Sequence, residues 1–378
     1  VRHTYIDINI LQTVPPSNIN RDDTGSPKSA IYGGVPRARV SSQAWKRATR
    51  KAFEGRLKSD QLGVRTKQVV ELLGERIIAK APDISLESAL ALATDTLTSA
   101  GVKLKPARVK KGEDPKPDES GFLFFLSSLQ VNHLADAAIG AFHSEDQTAH
   151  LKSADLKKQL HLDHSVDIAL FGRMVADSTD LNVDAAAQVA HALSVHAVDN
   201  EFDYYTAVDD HKAQDEEEDA GAGMIGTVEF NSSTLYRYAT VDAEGLLKNL
   251  GDVEATREAV EAFVDSFVTS MPTGKQNTFA NRTLPEAVVV FVRSDQPVNL
   301  VGAFEEPVEI PRLRNAADAL AELSQQVDAA YRTTAEKCWV VRTSPALASL
   351  DALGAPTSLE VLTKELGELV AQRLQGKQ

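Results

Sequence analysis

Apolar and polar residues alternate along Tyr5-Ile-Asp-Ile-Asn-Ile-Leu11, which predicts a strand with one buried face. Pro15, Pro16, Gly25 and Pro27 then mark a loop. Past Ser41 or Ser42, either a good N-cap, the spacing turns helical. Trp45, Ala48 and Ala52 fall on one side of that helix and are expected to dock on a sheet. Gln43, Lys46, Arg47 and Arg50 lie within roughly 100° of one another on the other side, at about 100° per residue. Residues 66–81, 86–100 and 121–143 read as helical, with a short helix over 153–160 and an alanine-rich helix-to-strand segment over 184–195. The stretch 227–239 alternates as a long strand, 243–250 and 253–270 are helical, and 287–293 is a buried strand. A helix over 314–331, a strand over 339–342 and a closing helix over 358–374 complete the pattern. Strands and helices mix without regular βα alternation, so an α+β fold is expected.

At 378 residues the chain exceeds a typical single domain, and two lobes or large insertions are expected. Its 43% hydrophobic residues are enough for a sizeable core, and no apolar run is long enough to span a membrane. The first residues carry no signal-peptide pattern. A single cysteine, Cys338, excludes an internal disulfide and a cysteine zinc cluster, which fits a reducing cytoplasm. Its apolar company makes it a packed small hydrophobe.

Charge is unevenly placed. The chain carries a net −14, yet 28–67 holds eleven cations (Lys28, Arg37, Arg39, Lys46, Arg47, Arg50, Lys51, Arg56, Lys58, Arg65, Lys67) against Glu54 and Asp60. A basic island in an acidic protein points to a polyanion partner. A second basic stretch, 103–117, reads as a loop that could guide a nucleic acid. His161 and His164 are spaced for one helical face but lack a third ligand, and His191 and His196 read as structural, so no metal is expected. Gly221-Ala-Gly-Met-Ile-Gly226 precedes a strand rather than a helix, which removes a dinucleotide site. Thr273-Gly-Lys-Gln276 lacks phosphate-loop spacing, so no ATP site, and no cofactor of any kind, is expected.

Asn20-Arg-Asp-Asp-Thr-Gly25, Ala30-Ile-Tyr-Gly-Gly34 and Arg39-Val-Ser-Ser-Gln-Ala-Trp-Lys-Arg47 closely resemble the opening of the CasC family, the CRISPR RNA-binding backbone subunits of the type I-E Cascade complex. Val166-Asp-Ile-Ala-Leu-Phe-Gly-Arg-Met174, Phe202-Asp-Tyr-Tyr205, 227–239 and the Gly274-Lys-Gln276 loop extend the resemblance over most of the chain. It implies a modified RRM-like (ferredoxin-like) palm with helical fingers and a thumb protrusion: palm over 1–60, fingers 61–182, palm 183–203, thumb 204–226, palm 227–378. In this reading 166–174 returns to the sheet as a strand, and Arg21, Lys28, Ser41, Gln43, Lys46, Arg47, Arg50 and Arg173 hold the RNA backbone. Met174 wedges between bases and Tyr204 or Tyr205 stacks on one, a sequence-tolerant contact. The acidic run 215–219 would face solvent or a neighbour.

The resemblance thus implies a non-catalytic, cytoplasmic subunit that oligomerises with copies of itself along the spacer of CRISPR RNA and presents it for pairing with target DNA. Other Cascade subunits and the CRISPR nuclease-helicase are the implied partners. The alternative is a metal-dependent RNA-cleaving subunit using Asp22 or Asp23, although adjacent carboxylates diverge in an extended chain.

Overall fold

The computed structural model describes residues 3–109, 112, 115–175, 179–207 and 224–376. Among these the chain forms two compact units. One comprises Val1–Ala52, Gln188–Asp242 and Val260–Arg373 and carries the principal sheet. The other comprises Phe53–Ala187 and Ala243–Ala259, with the chain end from Leu374, and is mainly helical.

The sheet has nine strands. We label them β1 (Tyr5–Ser17), β2 (Ser29–Tyr32), β3 (Val35–Val40), β4 (Ala187–Val189), β5 (Ala192–Ser194), β6 (Glu201–Ala207), β7 (Met224–Asp242), β8 (Ala287–Arg293) and β9 (Lys337–Arg342). The order β9-β8-β1-β7-β5-β3-β2 is antiparallel throughout, with β4 and β6 also on β7. β1 sits between β7 and β8, with Ile8 opposite Ala239 and Val290.

That central place overturns the expectation of one buried face. Ile6, Ile8 and Ile10 are buried, and so are Asp7, Asn9 and Gln12. The polar side has a cover of its own: Leu11, Tyr236, Tyr238, Val289 and Phe291 pack with Ala316, Ala317 and Leu320 of the helix Arg312–Tyr331. Burying polar groups is tolerable only if they are hydrogen-bonded. Asp7 accepts from the Tyr238 hydroxyl at 2.8 Å and the Val298 amide at 2.9 Å, and Asn9 Oδ1 accepts from the Tyr236 hydroxyl at 2.7 Å. On the opposite side Arg237, fully buried, donates to Gln12 at 2.6 Å and lies 3.7 Å from the ring centre of Trp45 and 4.6 Å from that of Phe267. Cation–aromatic contact replaces part of the hydration it has lost, and burial still brings its pKa down to about 9.

In the helical unit Val69–Lys80, Leu86–Ser99 and Ser128–Phe142 share a core that includes Leu73, Ile77, Leu92, Leu97 and Leu134. Ser127 and Gln130 form a capping box at the start of the third helix. Two segments differ from their expected form. Residues Val166–Phe171 are a short helix, not a strand, stopped by Gly172 at φ 76°. A short apolar run does not reveal its own period. Within 184–195, read as helix-to-strand, two short strands form and the helical part is absent, because pairing of β5 with β7 and β3 outweighs alanine's helical preference. In 153–160 the helix is broken into Gln147–Ser153 and Leu156–Gln159, with Asp155 left-handed between them.

His164 is half-buried in the helical unit. Its Nδ1 lies 3.2 Å from the Gln130 amide, and burial first, then the charge of Arg173, hold its pKa down at about 4. The fold therefore favours the neutral ring: its contribution is complete above the ordinary value of 6.5 and is lost as pH falls toward 4. In acid titrations followed by circular dichroism, His164→Gln is expected to lose less stability than the parent between pH 6.5 and 4.

Candidate nucleic-acid interface

The basic helix α1 (Ser42–Ala52) follows β3, and hydrogen bonds tie the segment leading into it to loop 18–28. The Ser41 amide donates to Asn20 Oδ1 at 2.8 Å, and the Lys28 amide to the Asn20 carbonyl at 2.9 Å. Asn18, buried, donates to the carbonyls of Gly25 and Glu229. Asp22 Oδ1 accepts from the Thr24 amide, the Thr24 hydroxyl and the Ser26 amide at 2.7–3.0 Å, closing the turn. These bonds, led by the Thr24 hydroxyl, hold the Asp22 carboxyl below its ordinary pKa.

An open groove of about 470 Å³ runs between residues 19–25 and Gly274. Gly274 lies against the loop so closely that an added Cβ would stand 2.3 Å from the Ile19 carbonyl oxygen. Gly274→Ala is therefore expected to displace the loop, costing ~1–3 kcal/mol in thermal unfolding.

On α1 the tertiary contacts sort the faces. Trp45 and Thr49 are buried; Ala48 and Ala52, expected beside Trp45, are only half-buried. Gln43 and Arg47 are exposed, Lys46 and Arg50 half-buried. Burial lowers the Lys46 pKa, so an anion there would regain for the ammonium some of the stabilisation lost with its water. Arg21 is exposed and Lys28 half-buried. Arg21, Lys28, Gln43, Lys46, Arg47 and Arg50 thus belong to one loop-and-helix substructure.

Ser41 takes up the N-cap role expected of it or of Ser42. It is 6% exposed, and its hydroxyl accepts from the Ala44 amide at 3.3 Å, so it caps the helix. Arg173 departs from its expected role. Its guanidinium is buried and donates to the carbonyls of Leu181 (2.8 Å), Leu160 (2.6 Å) and Phe125 (3.3 Å), and to Gln130 Oε1. Burial lowers its pKa to about 10. It braces the helical unit instead of reaching phosphate, while its backbone pairs with Val183 and fixes the adjacent Met174, which is 82% exposed. Arg37, counted in the basic island, is fully buried as well, bound to the carbonyls of Tyr32, Ser194, Phe304 and Glu305.

Tyr204 and Tyr205 lie on β6, which pairs with β7 from Glu201↔Phe230 to Ala207↔Met224. Both are exposed, and Tyr205 covers Gly226, where a Cβ would meet its hydroxyl at 2.4 Å. Phe202, two residues from Tyr204 on the same strand face, is also exposed. The period-two spacing of Phe202 and Tyr204 was the available signal for it. The 208–223 stretch, with the acidic run 215–219 and most of the glycine-rich segment, lies outside the described residues. In the 103–117 loop Lys103, Lys105, Arg108 and Lys116 are exposed, and Lys110 and Lys111 are outside the described residues. Burial pushes the Cys338 thiol up to about 12, which suits packing and not nucleophilic chemistry.

A family model described as CT1975-like protein matches residues 6–366, nearly the whole chain. The chain belongs to this family. Two solved structures agree with it over their full length. A chain of a CRISPR RNA-guided surveillance complex, pre-nicking, is 32% identical, with 97% of this chain and 100% of that one covered and a TM-score of 0.82. A chain of a second CRISPR RNA-guided surveillance complex is 28% identical, with 96% and 99% covered and a TM-score of 0.71. None of the curated proteins matches. The CasC-like reading and the mixed α+β fold with an antiparallel sheet therefore stand for this CT1975-like protein. Among the described residues no helix is long and apolar enough to cross a membrane.

Proposed function

We propose that this CT1975-like protein is a non-catalytic backbone subunit of a type I-E complex in the cytoplasm, laid in multiple copies along the spacer of CRISPR RNA. The end-to-end likeness to chains of two RNA-guided surveillance complexes carries the reading. In it the sheet unit is the palm and the helical unit the fingers, with 204–226 as the thumb. Arg21, Lys28, Gln43, Lys46, Arg47 and Arg50 hold phosphates; Ser41 and Arg173 position, the first by capping α1 and the second by anchoring Met174. Met174, Tyr204 and Tyr205 separate or stack bases. The protein reads backbone and shape, leaving sequence to pairing between guide and target DNA. Other subunits of the complex and the nuclease-helicase are its further partners.

Cleavage at Asp22 is disfavoured, since its Oδ1 already accepts three hydrogen bonds that close its turn. The test is titration of spacer-length single-stranded RNA, with duplex DNA as control, and the mass of each complex. Several copies per RNA, irrespective of sequence and preferred over duplex, is the expected result. A one-to-one complex, or no preference for RNA, overturns the filament; shortened RNA brings back the cleaving subunit.

A further inference from the structure

His191 reads from sequence as an ordinary structural histidine, yet it is exposed, with the cations Arg39 of β3 and Lys28 acting on it. Arg39 Nη1 lies 3.3 Å from its Nδ1. Arginine can only donate, so Nδ1 must accept and the ring proton sits on Nε2. Arg39 is fixed from its other side by a hydrogen bond from Nε to the Ser29 carbonyl at 3.0 Å, and its amide donates to the Lys28 carbonyl at 2.9 Å. The loop bearing His191 is fixed too, through the Ala190 amide on the Tyr238 carbonyl at 3.0 Å. The Tyr238 phenol is committed to Asp7. Among the described residues the charges that act on His191 are those of Arg39 and Lys28, both positive.

We propose that Lys28, Arg39 and His191 form a further phosphate subsite for the RNA backbone, beyond the α1 face, an inference that rests on the RNA-binding reading above. Three basic side chains on rigid backbone, two of them already in contact, are matched by no carboxylate acting on His191. An anion inserted between Arg39 and the ring relieves the mutual repulsion and accepts from Arg39 and from a proton placed on Nδ1 together. Partial burial and the two cations keep His191 below its ordinary pKa in the free protein. A bound phosphate reverses the sign of the local field and draws the Arg39 guanidinium off Nδ1, so that nitrogen takes up a proton with the RNA. Affinity must then rise as pH falls through the pKa of the complex, and level off below that of the free protein.

The experiment measures binding of a spacer-length oligouridylate from pH 8 to pH 5.5 for the parent, His191→Gln and Arg39→Gln, with folding checked by circular dichroism. A pKa rise of one unit on binding corresponds to about tenfold in affinity per subunit. The parent is expected to gain affinity by up to about that factor toward low pH. His191→Gln keeps a donor but cannot titrate and should lose this gain; Arg39→Gln should weaken binding at every pH. RNA binding with the same pH profile in the parent and His191→Gln overturns the subsite while leaving the backbone function intact. Absence of RNA binding in the parent overturns both.

Discussion

Arg293→Ala is expected to cost the fold ~3–5 kcal/mol, the largest single loss in the sheet unit. Arg293 and Asp7 are both fully buried and 3.2 Å apart on adjacent strands, β8 and β1. Arg293 also reaches Asp328 at 3.0 Å and donates to the Thr333 carbonyl, tying the sheet to the end of the helix Arg312–Tyr331. Burial pushes the Asp7 carboxyl above its ordinary pKa, against the Val298 and Tyr238 hydrogen bonds and the Arg293 charge that lower it. Removing the guanidinium leaves the desolvation and deletes a compensating charge, so Asp7 must become protonated or drag water inward. Urea unfolding at pH 7 measures the loss. Combining Arg293→Met with Asp7→Asn should recover a substantial part of it, because no buried charge is then left alone on β1. A single-variant loss below about 1 kcal/mol would show that water already reaches the pair.

Lys46→Ala combined with Arg50→Ala is expected to lower affinity for single-stranded RNA by a hundredfold or more at low salt. Hydrogen bonds to charged groups contribute roughly 1.5–3 kcal/mol each, and two are removed per subunit. The salt dependence carries the mechanism: each lost phosphate contact should make the log–log slope shallower by about 0.7. Because the buried face of α1 is made by Trp45 and Thr49, the double variant should keep its circular dichroism. Arg173→Ala provides the contrast. It takes a charged donor away from three carbonyls inside the helical unit, so it should lower the unfolding midpoint, and any effect on RNA should track the unfolded fraction. Equal salt slopes for the parent and the Lys46/Arg50 double variant would remove α1 from the interface.

The α1 site was legible because a helix repeats every 3.6 residues and its exposed side can be read from spacing alone. Gln43, Lys46, Arg47 and Arg50 needed no tertiary information to be grouped. The long strands were legible for the same reason, as was the basic island in an acidic chain. Buried arginines were not. Arg37, Arg173 and Arg237 are held by backbone carbonyls, an amide and aromatic rings, none of which leaves a charge pattern in sequence.

Sequence alone therefore determined the mixed α+β class, the family, the strand and helix periods, and which local faces could carry positive charge, all of which follow from neighbours within a few residues. Tertiary structure decided which of those charges meet water. β1 is buried on both faces because partners more than 210 residues away lie on either side of it. Arg173 is inward because carbonyls from three separate segments converge on it. Such long-range convergence depends on the whole chain packing at once, and local spacing carries no record of it.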